Sequence, residues 1–524
     1  MKYIVVLDTP SIKKYVFESS ALKEIRGASA ILDNLNRLLE VPAGEPKKII
    51  NDIYEYQESK YKEFVESIQG LKLDQFIFAN GGSGLIIIET QNSALLEKLA
   101  FKFEKLYQEN TKGAISQLIG WAEYESEDCF TKSLREAHWY LRRKRSKNSI
   151  IIVPNTPWVR YDQGLKNHRA EILFKGYKDA VQDDKYQWVS DISFTRKKEA
   201  DGYRRIWEEL KNFLGFEIKP PVSLDDIAKK DGSQKGKENK IAIVYADGNA
   251  MGKEIKQIKS PQKYAEFSKK VDEAVREATF ASLKDLFVPQ KGAYVRFDII
   301  LLGGDDILIV LPPEYASDFV IKANGYFLEK TQGKYSLSFG ISVANNHSPF
   351  DKVVGQASEC LKNAKKAIKK GPGVDFHVNC SGFFPDVNQY RNQEYSNEEL
   401  KLKLCCRPFS INTFKKYLNK TSELKQSNVA ASRLYQIGNS LKKGKNRGHI
   451  GWITGVTRAR TLSQKKALQN LLYCWLEQNG KCEIYYDIEP WRKDEEESKF
   501  TCGFHDILEL YDLVKKNLGE IHEC

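Results

Sequence analysis

Two adjacent carboxylates, Asp305 and Asp306, follow two glycines, Gly303 and Gly304, inside the otherwise apolar stretch 297–311. The flanking Ile, Leu and Val suit buried strands. The glycines permit a tight turn. The stretch therefore predicts a hairpin with a doubled negative charge at its tip. Like charges so close raise each other's pKa unless a cation neutralises them, which points to a divalent metal. The plain alternative is a solvated Asp-rich turn. A third acid, Asp247, ends the apolar run 241–247. Gly248, Asn249 and Gly252 punctuate the turn after it, and a helical pattern starts at Lys253. The free amides of a helix start are suited to phosphate.

A long helical pattern over 261–286 separates the two acidic sites. Strand, helix, then hairpin is the order of a ferredoxin-like sheet, in which the first strand can lie beside the hairpin. Asp247 would then face Asp305 and Asp306. Three carboxylates can hold two divalent cations about 3.5–4 Å apart, an arrangement suited to in-line phosphoryl chemistry. Asp247, Asp305 and Asp306 are thus the candidate catalytic and metal-ligating residues, with Mg²⁺ or Mn²⁺ as the metal.

An earlier part of the chain repeats the pattern. Residues 2–8 form an apolar run ending in Asp8. Residues 74–79 and 85–89 flank Gly81, Gly82, Ser83 and Gly84. Helical patterns at 93–108 and 132–144 enclose an apolar run at 114–122. This reads as an internal repeat of one palm-like unit. With Ser83 and Gly84 set against the two acids, the first copy lacks hairpin carboxylates and is expected to bind no catalytic metal. Asp8 is then structural or a helix cap.

Taken together, residues 246–253 (ADGNAMGK), 303–306 (GGDD), 335–341 (YSLSFGI) and the Ala364-Lys365-Lys366 helix resemble one family. It is the large palm-polymerase subunit of type III CRISPR effector complexes, the cyclic oligoadenylate synthases. The diguanylate cyclase palm is a more distant likeness. Residues 8–17 and 23–29 look like the family's first palm. The resemblance implies ATP as substrate and nucleotide contacts at Gly248, Asn249, Gly252, Lys253, Gly303, Gly304 and Ser338. It also implies that Lys365, or else Lys366, points at the phosphates. In the degenerate palm it implies that Arg26, Ser29, Gly81, Gly82 and Ser83 help bind an acceptor nucleotide between the two copies. Without it, Arg26 and Ser29 read as a helix salt bridge and a small packing residue. Relatives often carry a second acid where this chain has Asn249. The zinc cysteines and the HD nuclease domain of the family are not matched, so neither zinc binding nor DNA cleavage is implied.

These pieces give an α+β fold: two tandem ferredoxin-like palms plus a helical C-terminal domain. The expected boundaries are 1–149 for the degenerate palm, 150–218 for an insert, 219–240 for a charged linker, 241–384 for the active palm, and 385–524 for the helical domain. The insert carries Trp158, Trp188, Tyr203 and Trp207 and is expected to pack between the palms. A length of 524 residues suits about three domains. The net charge of +12 favours anionic partners: nucleoside triphosphates, RNA, and the other subunits of a CRISPR-type complex.

Nine cysteines, odd in number and irregularly spaced, argue against a disulfide framework and for a reducing cytoplasm. No C-x-x-C pair occurs. Convergence of Cys482, Cys502, His505, His522 and Cys524 would be needed for any other metal site. There is no apolar run of membrane-spanning length and no signal-peptide pattern. The function expected is metal-dependent condensation of ATP into cyclic or linear oligoadenylate in antiviral defence. The alternatives are a nucleotide- or RNA-binding subunit with little catalysis, or a homodimeric diguanylate-type cyclase; the tandem palm argues against the latter.

Overall fold

The computed structural model describes residues 1–19, 21–38, 53–147, 160–162, 165, 168–175, 186–201, 205–228, 239–379, 386–476, 489–494, 499–511 and 513–514. Residues 229–238 of the charged linker lie outside them, as do Trp158, Tyr203, Cys482, His522 and Cys524. The chain divides into two compact units. Unit 1 is Met1–Gly215, Ala250–Arg276 and Ile300–Asp305; unit 2 is Phe216–Asn249, Glu277–Ile299 and Asp306–Cys524.

Four strands of unit 1 build an antiparallel sheet: β1 (Lys2–Asp8), β2 (Lys72–Asn80), β3 (Ser83–Glu89) and β4 (Leu118–Glu123), in the order β2-β3-β1-β4. That is the ferredoxin-like order. Alternation along a strand sends successive side chains to opposite faces. Val5, Leu7, Ile86 and Ile88 enter one core, while Ile4, Val6, Leu85 and Ile87 enter another. Because both faces are covered, β1 is almost uniformly apolar. A two-stranded hairpin, β5 (Ile172–Lys175) with β6 (Tyr186–Val189), and the helices Asp191–Asp201 and Arg205–Leu214 follow. The helix Leu22–Asn36 packs on Asp191–Asp201 so closely that a Cβ on Gly27 would meet the Arg196 carbonyl.

The second sheet has six strands: β7 (Lys240–Gly248), β8 (Asp298–Gly303), β9 (Asp306–Leu311), β10 (Leu337–Asn345), β11 (Gly373–Val378) and β14 (Phe409–Ser410). Their order is β14-β11-β10-β7-β9-β8. Its β10-β7-β9-β8 part repeats the topology of the first sheet. The two sheets also share their register. Asp8 lies opposite Leu118 and Val6 opposite Gly120; Asp247 lies opposite Ser338 and Tyr245 opposite Gly340. Gly120 and Gly340 are therefore equivalent. A Cβ on Gly120 would meet the Ala137 carbonyl at 2.3 Å, and one on Gly340 would meet the Ala357 carbonyl at 2.0 Å. In each copy, the helix after this strand (Phe130–Lys147 or Phe350–Ala367) needs a bare backbone beneath it.

Helices dominate beyond residue 386, as expected. Ser410 caps Ile411–Gln426 by accepting from the Thr413 amide at 3.2 Å. One feature departs from the all-helical reading of this part. The strands β12 (Ser396–Asn397), β13 (Leu402–Lys403), β15 (Arg492–Asp494) and β16 (Lys499–Thr501) form a four-stranded sheet. Each has only two or three residues, too few to display a period of two. Among the described residues no helix is long and apolar enough to cross a membrane.

Candidate active site

Asp247 sits at the penultimate position of β7, whose residues 241–246 are all buried. β7 and β9 are antiparallel, with Ala246 opposite Ile307. One further step of that register sets Asp247 level with Asp306, and Asp305 precedes Asp306 in the turn. All three acids are half-buried. The expected pairing of the first strand with the hairpin is therefore present.

Lysine chemistry occupies the same place. Lys365 Nζ, on the helix Phe350–Ala367, is ion-paired with Asp247 and also donates to the Gly248 carbonyl at 2.7 Å. Among the described residues no group of three or more His, Cys, Asp or Glu side chains is assembled for a metal. The donor set is nonetheless all carboxylate, the hard-oxygen chemistry that Mg²⁺ and Mn²⁺ take. The Lys365 ammonium stands beside Asp247 as the compensating cation. Lys366, the fallback, instead lines a cavity of about 540 Å³ with Arg391, Lys403 and Lys499.

Other expected contacts are placed differently. Ser338 is fully buried; its hydroxyl donates to Asn249 Oδ1 at 2.8 Å and accepts from the Gly373 amide at 3.0 Å. Asn249 Nδ2 in turn donates to Ser336 Oγ at 2.9 Å. Ser338 thus ties the turn after β7 to the start of β11, from a position opposite Asp247 on the neighbouring strand. Lys253 and Gly252 are exposed at the start of the helix Met251–Gln257. That helix has only seven residues.

In unit 1, Ser29 Oγ donates to the Ile300 carbonyl of β8 at 2.7 Å, so its hydroxyl meets the hairpin backbone. Arg26 is half-buried, and Gly81 and Ser83 are exposed. The Gly82 carbonyl accepts from the Thr9 amide at 2.8 Å. Asp8 is ion-paired with Arg145.

Register also corrects the alignment of the two hairpins. Asp8 lies opposite Ser83, as Asp247 lies level with Asp306. Ser83 is therefore the counterpart of Asp306, Gly82 of Asp305, Gly81 of Gly304 and Asn80 of Gly303. Matching the two Gly-Gly pairs by sequence slips this by one residue. Gly84 is the counterpart of Ile307 and is buried against Leu7 and Ala79.

Three residues around the turn have no motif to announce them. Tyr264 stacks on Phe78 with ring centroids 5.3 Å apart, and burial together with the charge of Asp305 pushes its phenol up to about 12. Asp272, on the helix Pro261–Phe287, accepts the Gly304 amide at 2.9 Å and Asn80 Nδ2 at 2.6 Å. The Asp272–Arg276 spacing of four was visible in the sequence, but it is also the spacing of an ordinary helix ion pair.

A ferredoxin-like sheet with an acid closing its first strand and two more on the adjoining hairpin is the arrangement of a palm domain. Residues 240–372 match the family model of the Cas10/Cmr2 second palm domain. The chain resembles the large palm-polymerase subunit of type III CRISPR effector complexes. Among solved structures it is similar to Csm1 from T. onnurineus (12% identity, 98% of this chain and 70% of that one, TM-score 0.54). It is also similar to a Csm1-Csm4 cassette in complex with pppApApA (13% identity, 90% and 69%, TM-score 0.54). A cassette in complex with cA4 matches at 15% identity and TM-score 0.45, over 75% of this chain. The chain spans 58% of the length of that last relative. No curated protein matches the chain.

Proposed function

We propose that the chain is a metal-dependent nucleotidyltransferase that condenses ATP into linear or cyclic oligoadenylate. The observation that carries this reading is the register that sets Asp247 beside the Asp305-Asp306 turn at the end of a palm sheet. Asp247, Asp305 and Asp306 would hold Mg²⁺ or Mn²⁺, which when bound supplies Lewis-acid activation of a 3′-hydroxyl and charge neutralisation on the triphosphate. The protein's own contribution is placement. The buried β7 and β9 fix the acid-bearing ends. Asn249, held by Ser336 and Ser338, fixes the turn after Asp247. Lys365, beside Asp247, is in place to move its ammonium from the carboxylate to a phosphate oxygen. Lys253 is exposed at the next helix start and serves as a second phosphate contact. The products attributed to the family, and assembly with other CRISPR-type subunits and RNA, belong to the same proposal.

The Asp247–Lys365 ion pair favours a second reading, a nucleotide-binding subunit in which catalysis is silent. Incubation with each labelled triphosphate and Mg²⁺ or Mn²⁺, followed by product analysis, separates the two. Oligoadenylate formed from ATP, and lost in Asp305→Ala with Asp306→Ala, supports the enzyme. Tight triphosphate binding without product supports the binding subunit. A cyclic dinucleotide made from GTP would replace both with the diguanylate-type reaction.

A further inference from the structure

The acidic turn is held by a charge network that includes the degenerate hairpin. Asp272 is buried on the helix Pro261–Phe287, and its carboxylate gathers four donors. Oδ1 accepts the Gly304 amide at 2.9 Å and Asn80 Nδ2 at 2.6 Å. Oδ2 accepts Arg276 Nε at 2.9 Å and Tyr54 OH at 3.1 Å. Arg276 also reaches the Leu302 carbonyl at 3.4 Å and is ion-paired with Glu209. Glu209 pairs with Arg205 as well, and Asp33 and Arg37 pair nearby at 2.8 Å. Three acids therefore balance three guanidinium groups, which is the condition for burying charge. All of these groups belong to unit 1.

The geometry at the turn is specific. Gly304 has φ of +61°, the left-handed region, which points its amide inward to Asp272. A Cβ on Gly303 would stand 2.6 Å from Asn80 Oδ1. Asn80 is the position equivalent to Gly303 in the degenerate hairpin, so the two hairpins meet at corresponding residues. One copy keeps the amide side chain and the other keeps the space for it.

We infer that Asp272 and Asn80 are positioning residues for the acidic turn. The first palm, having lost its own hairpin acids, braces the turn that retains them. Fixing the Gly304 amide limits where Asp305 and Asp306 can place their carboxylates, and so sets the affinity of the turn for a divalent cation. This rests on the proposed metal-binding role of the turn, but the anchoring itself does not.

The test uses the full chain with Asp272→Asn, which keeps the shape, and Asn80→Ala, which leaves the ionic network intact. Asp272→Ala is the severe variant. Thermal melts and circular dichroism select the variants that fold. Hydrogen exchange over residues 300–308 reads the anchoring directly, and Mn²⁺ titration followed by electron paramagnetic resonance reads the metal. Loss of a hydrogen bond to a charged acceptor predicts exchange faster by about 10-fold or more at Gly304. Mn²⁺ affinity falls in the same variants, and kcat falls with little change in the KM for ATP. Unchanged exchange at Gly304 in a folded Asp272 variant overturns the anchoring. Faster exchange with unchanged Mn²⁺ affinity reduces the network to a purely structural one and overturns the positioning role. If the parent binds Mn²⁺ no better than Asp305→Ala with Asp306→Ala, the metal reading of the turn fails, and the brace stands or falls on exchange alone.

Discussion

Lys365→Gln separates two consequences of one contact. In the structure the Lys365 ammonium neutralises Asp247, so a divalent cation must compete with it for the carboxylate. The side chains are 29% and 33% exposed, so solvent screens the pair, and its worth is that of a partly exposed ion pair, about 0.5–1 kcal/mol. Removing the competitor should therefore tighten Mn²⁺ binding by about 2- to 5-fold in the absence of nucleotide. The same change removes a cation from the triphosphate, so affinity for a nonhydrolysable ATP analogue should fall. Turnover should fall with it, although the metal now binds more tightly. Gln is chosen because it removes the charge while keeping an N–H donor on a side chain of similar bulk. Calorimetric titrations with Mn²⁺ alone, then with the analogue at saturating Mn²⁺, give both numbers from one preparation. Weaker Mn²⁺ binding would mean that Lys365 supports the carboxylate's geometry rather than competing for it. Unaltered analogue affinity would remove the phosphate role.

Three further outcomes are expected. Asp305→Ala with Asp306→Ala should abolish nucleotidyl transfer while the melting temperature holds or rises, because the change relieves repulsion between neighbouring carboxylates; activity is followed as labelled product. Gly340→Ala should destabilise the second palm by several kcal/mol, about 3 or more, since its Cβ would collide with the backbone of Ala357 and Leu361 and no rotamer can relieve that, a cost read from denaturant unfolding. Glu509 gives a pH dependence. Burial alone would raise its carboxyl, but the Arg407 guanidinium outweighs this and holds it down to about 2. A folded-state pKa below the ordinary 4.5 stabilises the fold above pH 4.5, and this is lost as pH falls toward 2, amounting to about 3 kcal/mol. Glu509→Gln should therefore cost stability at neutral pH, about 3 kcal/mol, because buried Arg407 loses one of its two carboxylate partners and keeps only Asp506. It should also flatten the acid limb of the stability curve as followed by tryptophan fluorescence.

The parts of the fold that repeat themselves were the legible ones. Ile241 to Asp247 and the Gly-Gly-Asp-Asp hairpin carry strand composition, turn residues and an unusual charge in the same few positions, so pattern and chemistry agree. The sequence pattern carries a helix over 350–370, with Val353, Val354, Ala357, Cys360, Leu361 and Ala364 on one face; the structure buries that face and ends the helix at Ala367. What could not be read is what depends on a third dimension. The two- and three-residue strands β12, β13, β15 and β16 have no period to detect. The hydrogen bond from Ser338 to Asn249 joins two strands, and no sequence spacing announces it.

The hairpin equivalence shows most clearly why motif alignment and register can disagree. Pairing the two Gly-Gly dipeptides by sequence sets Ser83 and Gly84 against Asp305 and Asp306. The strand register instead assigns Gly82 and Ser83 to those places. An acid at Gly84 would place a charge at a buried position where its Cβ meets Leu7 Cδ1 at 2.9 Å and the Phe78 carbonyl at 3.3 Å, so that restoration would strain the hairpin as well as test a metal. The acid-bearing variant that does test it is Ser83→Asp alone, on an exposed residue opposite Asp8. Arg145 already pairs with Asp8, so the added charge has a cation at hand, and the variant should fold with near-parent stability. It should nevertheless create no second metal centre, because Gly82 supplies no carboxylate where the active turn has Asp305. Mn²⁺ titration of Ser83→Asp in the Asp305→Ala, Asp306→Ala background is the measurement, and recovery of a bound ion there would refute the assignment of the metal to the second hairpin alone.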